Sequence, residues 1–121
     1  MNIQYISYND NNFPSLLRDI SSSPKGLYVA GVIPDLPMVA IVGTRLPSSY
    51  GKEITYKLAT GLANAGFCLV SGMALGIDSI VHNAALDAGG STVAVLGSGL
   101  DQPYPRSNQY LFDKIISQNG A

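Results

Sequence analysis

A chain of 121 residues is long enough for one domain with a modest core. With 46% hydrophobic and only 12% charged residues, it is too apolar for a disordered segment. Seven Lys and Arg against eight Asp and Glu leave a net charge of −1, so no global basic field draws in nucleic acid and any anion site must be local.

The N-terminal stretch "MNIQYISYNDNN" lacks the basic start and apolar core of a signal peptide. No run approaches the roughly 20 apolar residues of a membrane helix, so a soluble cytoplasmic protein is expected. Residues 1–37 carry Pro14, Pro24, Pro34 and Pro37 and read as an N-terminal extension packed on a main domain at 38–121. Within it Leu16, Leu17 and Ile20 suit one short helical turn, and "LYVAG" suits a short strand.

From Met38 the pattern becomes regular. "MVAIVG" (38–43) is a short apolar run rich in β-branched residues, as expected of a buried strand. Ser48 or Ser49 can cap a helix with Glu53 in its first turn. Ile54, Leu58, Leu62 and Ala65 recur at helical spacing, and Gly66 suits its C-terminal end. "FCLVSG" (67–72) is a second buried strand. It holds the single cysteine, Cys68, a buried thiol with no disulfide partner. Asp78 can cap the next helix, whose apolar stripe is Ile77, Val81, Ala84, Ala85 and Ala88 and which Gly89 and Gly90 end. "TVAVLG" (92–97) is the third strand. Ser107 can cap a last helix with Leu111, Phe112, Ile115 and Ile116 inward, closing at Gly120.

Strand and helix alternating three times predict right-handed crossovers and a mainly parallel sheet in a Rossmann-like, three-layer α/β/α fold. Three strands are only half of a doubly wound sheet, so the domain reads as truncated. In such sheets ligands bind beyond the carboxyl ends of the strands. Three turns meet there: "GTRLPSS", "SGMALGID" and "GSGLDQPYPRSN".

In the first turn Gly43 lets backbone approach a ligand, Thr44 supplies a hydroxyl, and Arg45 supplies a permanent charge with a planar fork suited to phosphate. The helix that follows offers free N–H groups and a positive dipole end. The alternative for Arg45 is a salt bridge to a surface carboxylate. In the third turn Gly97, Ser98 and Gly99 expose amides, Arg106 adds a second charge, and Asn108 an amide. Tyr104 either stacks on a base or packs within its loop. In the second turn Ser71, Gly72, Asp78 and His82 raise the thought of a hydrolase triad. There is no G-x-S-x-G elbow, so Asp78 is read as a helix cap and His82 as a bond to a neighbouring loop. No catalytic residue is assigned. No metal-binding cluster, P-loop or G-x-G-x-x-G is present, so neither a metal nor a cofactor is expected.

These same residues resemble a known family. "VAIVGTRLPSSYG", "LVSGMALGIDSIVHNAAL", "GGSTVAVLGSGLDQPYP" and "RSNQYL", in this order and spacing, are similar to the DNA processing protein A (DprA/Smf) family. The resemblance spans Pro37 to Ala121, and "FPSLLRDISSSPKGLYVAG" resembles the segment that precedes the domain in that family. It implies an extended Rossmann fold that binds single-stranded DNA during natural transformation, loads the RecA recombinase and forms homodimers. It implies that Arg45 and Arg106 grip DNA phosphates and that Thr44, Ser71, Gly72 and Asn108 fall on pocket positions. Two departures stand out: Leu75 sits where the family often has a basic residue, and Thr44 replaces a serine. The family also continues beyond "NGA" with more strands and a basic segment. Two other readings use the same parts. A LOG-like nucleoside-monophosphate phosphoribohydrolase shares the topology, although its P-G-G-x-G-T-x-x-E motif is absent here. A non-catalytic small-nucleotide-binding protein would use the same anion cradle.

Overall fold

The computed structural model describes residues 2–121. Two small sheets organise it. The first pairs β1 (Ile3–Ser7) with β2 (Gly26–Ala30) antiparallel, Tyr5 opposite Tyr28. Between them lies the one-turn helix α1 (Ser15–Arg18). Ile6, Phe13 and Val29 close a local core, with Leu17 and Ile33 against it. Arg18 ties this segment together by donating to the carbonyls of Tyr8 and Asp10. The helical turn and the "LYVAG" strand were legible in the sequence. Strand β1 was not, because "IQYIS" puts most of its side chains in solvent and has no apolar run.

The second sheet is parallel, in the order β3 (Met38–Ala40), β4 (Cys68–Ser71), β5 (Thr92–Ala94), with Val39 opposite Leu69 and Val70 opposite Val93. Each strand is shorter than its apolar run, since the chain splays into the turns once the ladder ends. Single further bonds, Ile41 N–H to Val70 O and Val95 N–H to Ser71 O, mark where it gives out.

Helices α2 (Ser49–Asn64), α3 (Ile77–Asp87) and α4 (Gln109–Ser117) follow the three strands. Strands added in one direction by right-handed crossovers put these helices on one face, one of the two helical layers expected. One core cluster joins Ala59 of α2, Leu69 of β4 and Val81, Ala84 and Ala85 of α3. A second joins Leu86 of α3 to Leu111, Phe112 and Ile115 of α4, with Ala94 beside them. Tyr56 of α2 donates to Asp87 of α3 at 2.8 Å, which raises the pKa of the phenol. Cys68 is fully buried, and desolvation pushes its thiol pKa up.

Three expectations about the helices need correction. Of the residues at helical spacing on α2, Leu62 packs against the core but Leu58 is 54% and Ile54 38% exposed, while Thr55 and Ala59 are buried. Among the described residues β3 is an edge of the three-stranded sheet, and α2 packs on β4 and α3. Asp78 does not cap α3. Gly76 holds the cap position at φ +82°, where a Cβ would collide with the Thr44 carbonyl oxygen and the Arg45 backbone. Asp78 therefore falls inside the first turn. Ser107 does not cap α4, because Arg106–Asn108 form a 3₁₀ turn that runs straight into the helix. Ser48, by contrast, caps α2 as expected, accepting from Gly51 N–H at 3.1 Å.

Ala121 N–H donates to Thr92 O, and Ala121 O accepts from Ala94 N–H, the bonding of a parallel bridge to Val93 on the outer edge of β5. Val32 N–H reaches Gly120 O, which anchors the N-terminal segment to the same edge. Among the described residues no helix is long and apolar enough to cross a membrane.

Candidate nucleic-acid interface

The carboxyl ends of β3, β4 and β5 open onto a cleft of about 330 Å³ lined by Arg45, Gly72, Ala74, Leu75, Gly97, Ser98, Tyr104 and Pro105. All three turns contribute. No carboxylate is among these lining residues. Tyr104 is 67% exposed and presents its ring to solvent.

The first turn is set by the second. Thr44 O accepts from Ile77 N–H at 3.1 Å, so the N-terminus of α3 rests on the backbone that carries Arg45. Gly43 is needed because a Cβ there would press into the Ile77 side chain. Thr44 Oγ1 accepts from Leu46 N–H at 3.1 Å, a local turn that leaves Arg45 projecting. The helix terminus meeting this turn is thus that of α3. The sequence had pointed to α2, whose first-turn amide at Gly51 is already taken by Ser48.

The second turn is held from beneath by buried polar side chains. Met73 adopts φ +67°, a conformation uncommon for a residue with a Cβ. Its N–H donates to His82 Nε2 at 3.3 Å. His82 Nδ1 lies 2.8 Å from Thr92 Oγ1, and that hydroxyl donates to Leu69 O at 2.8 Å. Since the Thr92 proton goes to Leu69, Nδ1 must carry the imidazole proton and Nε2 must accept. Burial lowers the His82 pKa to about 4, against a smaller opposing pull from Asp78. His82 is therefore neutral, fully buried and engaged at both nitrogens, bonding a neighbouring loop as expected. Asp78 Oδ1 is buried without a partner, and its Oδ2 lies where a Cβ on Gly72 would meet it at 2.8 Å.

The ten residues expected at the site separate into groups. Arg45, Gly72, Gly97 and Ser98 line the cleft. Gly43 and Thr44 shape the turn beneath Arg45. Ser71 and Asn108 are buried and do not line it. The Ser71 hydroxyl donates to Ile41 O across the β3–β4 ladder. The Asn108 amide nitrogen donates to Met73 O at 2.7 Å and Ser79 Oγ at 2.8 Å. Arg106 is exposed and opens the 3₁₀ turn directly after Pro105 at the rim. Gly99 lies in the lining of a different, more apolar cavity of about 520 Å³, between β2, β5 and α4. Ala74, Leu75 and Pro105 line the cleft without having been singled out as ligand contacts, since small and apolar side chains carry no chemical signal in a sequence. Among the described residues no group of three or more His, Cys, Asp or Glu side chains is placed to hold a metal ion.

Comparison with known proteins gives consistent matches. The family model for DNA recombination-mediator protein A matches residues 4–121. The chain is 41% identical to Protein Smf of Synechocystis sp. over 97% of its own length and 31% of that protein's. It is 43% identical to the DNA processing protein DprA of Streptococcus pneumoniae over 88% of its own length and 38% of that protein's. It thus spans about a third of the length of these relatives. The X-ray structure of the Streptococcus pneumoniae protein matches with a TM-score of 0.88 at 40% identity, covering 93% of this chain and 40% of that one. A DNA processing protein A from Helicobacter pylori, described for its single-stranded DNA binding mode, matches with a TM-score of 0.79 at 38% identity, covering 96% and 53%.

Proposed function

Because the chain belongs to the DNA recombination-mediator protein A family, we propose that it binds single-stranded DNA at the cleft where its three parallel strands end. The observation that carries this reading is the composition of that cleft. Arg45 stands with Gly72, Gly97, Ser98 and an exposed Tyr104, and no carboxylate is in the lining. The guanidinium supplies a fixed charge and paired donors for a phosphate. The glycines let a backbone phosphate approach their amides, and a ring open to solvent offers a base a stacking surface whatever its identity.

Arg106, at the rim on the third turn, takes a neighbouring phosphate in this reading. Thr44 and Gly43 set the presentation of Arg45. Ser71 and Asn108 support the cleft from below, and the turn at Gly97, Ser98 and Gly99 offers backbone amides. The state of His82 favours binding over hydrolysis: a neutral imidazole with both nitrogens engaged has no lone pair to accept a proton from water or substrate. Loading of the RecA recombinase, homodimer formation and a cytoplasmic role in natural transformation follow from the family as further parts of the proposal. They concern the whole length of such proteins, of which this chain spans about a third.

Fluorescence anisotropy with labelled single strands at several salt concentrations tests the reading. Binding should be independent of base sequence and should weaken steeply with salt. Release of free base from a nucleoside monophosphate would point instead to the phosphoribohydrolase.

A further inference from the structure

Two of the turns that line the cleft form walls distinct from the Arg45 turn. One is Gly72, Ala74 and Leu75 of the second turn, the other Tyr104 and Pro105 of the third. Among the described residues, both side-chain hydrogen bonds that join the third turn to the second and to the start of α3 come from one residue, Asn108. Its amide nitrogen donates to Met73 O at 2.7 Å and to Ser79 Oγ at 2.8 Å, and the residue is 5% exposed. Each acceptor is itself tied to the wall. Met73 precedes Ala74 and holds φ +67° while its N–H is fixed by His82. Ser79 Oγ donates to Ala74 O at 2.6 Å, and Ser79 N–H bonds the same carbonyl at 3.1 Å. Asn108 also ends the 3₁₀ turn that Arg106 begins.

We propose that Asn108 is a positioning residue for strand binding: its buried amide clamps the second turn to the third and so sets the spacing of Arg106 and Tyr104 from the Arg45 side of the cleft. This rests on the single-strand reading above. A planar amide suits the task, since one nitrogen offers two protons in fixed directions to two acceptors. Two phosphate contacts on one strand are additive only when the charges stand at the strand's own spacing. A clamp that fixes the walls therefore raises affinity without touching DNA.

The test uses the 121-residue chain, a fluorescein-labelled oligothymidylate and a salt series. Asn108→Ala should lower the affinity of the folded protein about fivefold or more, within the range by which residues that contact no ligand change coupling. The slope of log K against log salt should stay at the wild-type value, because no phosphate contact is removed. Ser79→Ala, which keeps the bond to Met73, should show a smaller loss, and Ser79→Thr, which restores the hydroxyl, should bind like wild type. Amide hydrogen exchange at Met73 and Ser79, whose N–H groups bond His82 Nε2 and Ala74 O, should speed up in Asn108→Ala while the β1–β2 pair is unchanged. A lowered unfolding midpoint with unchanged affinity, or a flattened salt slope, would overturn the positioning role. Unchanged exchange at Met73 and Ser79 would overturn it whether or not DNA binds. A wild-type chain that ignores the oligonucleotide while the variant shows faster exchange would leave the clamp standing and remove the single-strand reading.

Discussion

His82 is the only histidine in the chain, and its ring has no nitrogen to spare. A proton added to Nε2 would face the Met73 N–H that now donates to it. The folded pKa of about 4 lies below the ordinary 6.5, so the unfolded chain binds the proton first. Stability from this group is complete above pH 6.5, falls as the pH drops toward 4, and is level again below that. The full loss is on the order of 3 kcal/mol, since each tenfold difference in proton affinity between the folded and unfolded chain corresponds to about 1.4 kcal/mol. Urea midpoints across this window should follow that curve, and the imidazole resonances should not titrate until near pH 4. A ring titrating at its ordinary 6.5 would show that the buried network is not formed. The sequence suggested the partner class of His82 but not its tautomer, which depends on where Thr92 sends its proton. For Asn108 the sequence offered an amide near a ligand turn, and nothing in residue spacing told that the amide nitrogen turns inward.

At the scale of elements, two glycines with the same letter carry opposite expectations. Gly76 begins α3 at φ +82° and ψ −127°, a region closed to residues with a Cβ, and its neighbours leave no space for one. Gly76→Ala should destabilise by about 2 kcal/mol or more and displace the Thr44–Arg45 backbone that rests on it. Gly61 lies inside α2 with nothing within 4 Å of where a Cβ would be. Gly61→Ala should stabilise by roughly 0.5–1 kcal/mol. Thermal or denaturant unfolding of both variants checks the pair, and a stable Gly76→Ala would mean that the first and second turns are not packed as described. All three parallel strands and the three longer helices were legible, because apolar runs and 3.6-residue spacing survive in any context. The inward face of α2 was not. Ile54 and Leu58 have the right spacing, but what they would pack against is decided by the sheet edge, and periodicity cannot say which flank of a helix finds a neighbour. Strand β1 escaped notice for the related reason that a two-stranded sheet exposed on one side needs no apolar run.

The whole molecule combines a half-covered parallel sheet with a net charge of −1. Met38 on the edge strand β3 is 37% exposed, and Ile54 and Leu58 of α2 are exposed as well, apolar surface of the kind that other polypeptide covers. A version of the chain carrying the additional length of its relatives should unfold at a higher denaturant midpoint than these 121 residues. An equal midpoint would show this surface to be stable in its own right. Charge acts at the same scale: a molecule with no basic field can hold a polyanion only where its positive charge is concentrated. In the proposed reading that place is the cleft, with Arg45 in its lining and Arg106 exposed beside Pro105, and the most direct measurement is the salt dependence of single-strand binding in wild type and Arg45→Ala. Wild type should bind all base sequences alike. Arg45→Ala should bind more weakly, with the slope of log K against log salt flattened by about 0.7, one phosphate contact. Equal affinities and identical slopes for the two proteins would contradict the assignment of Arg45 to a DNA phosphate.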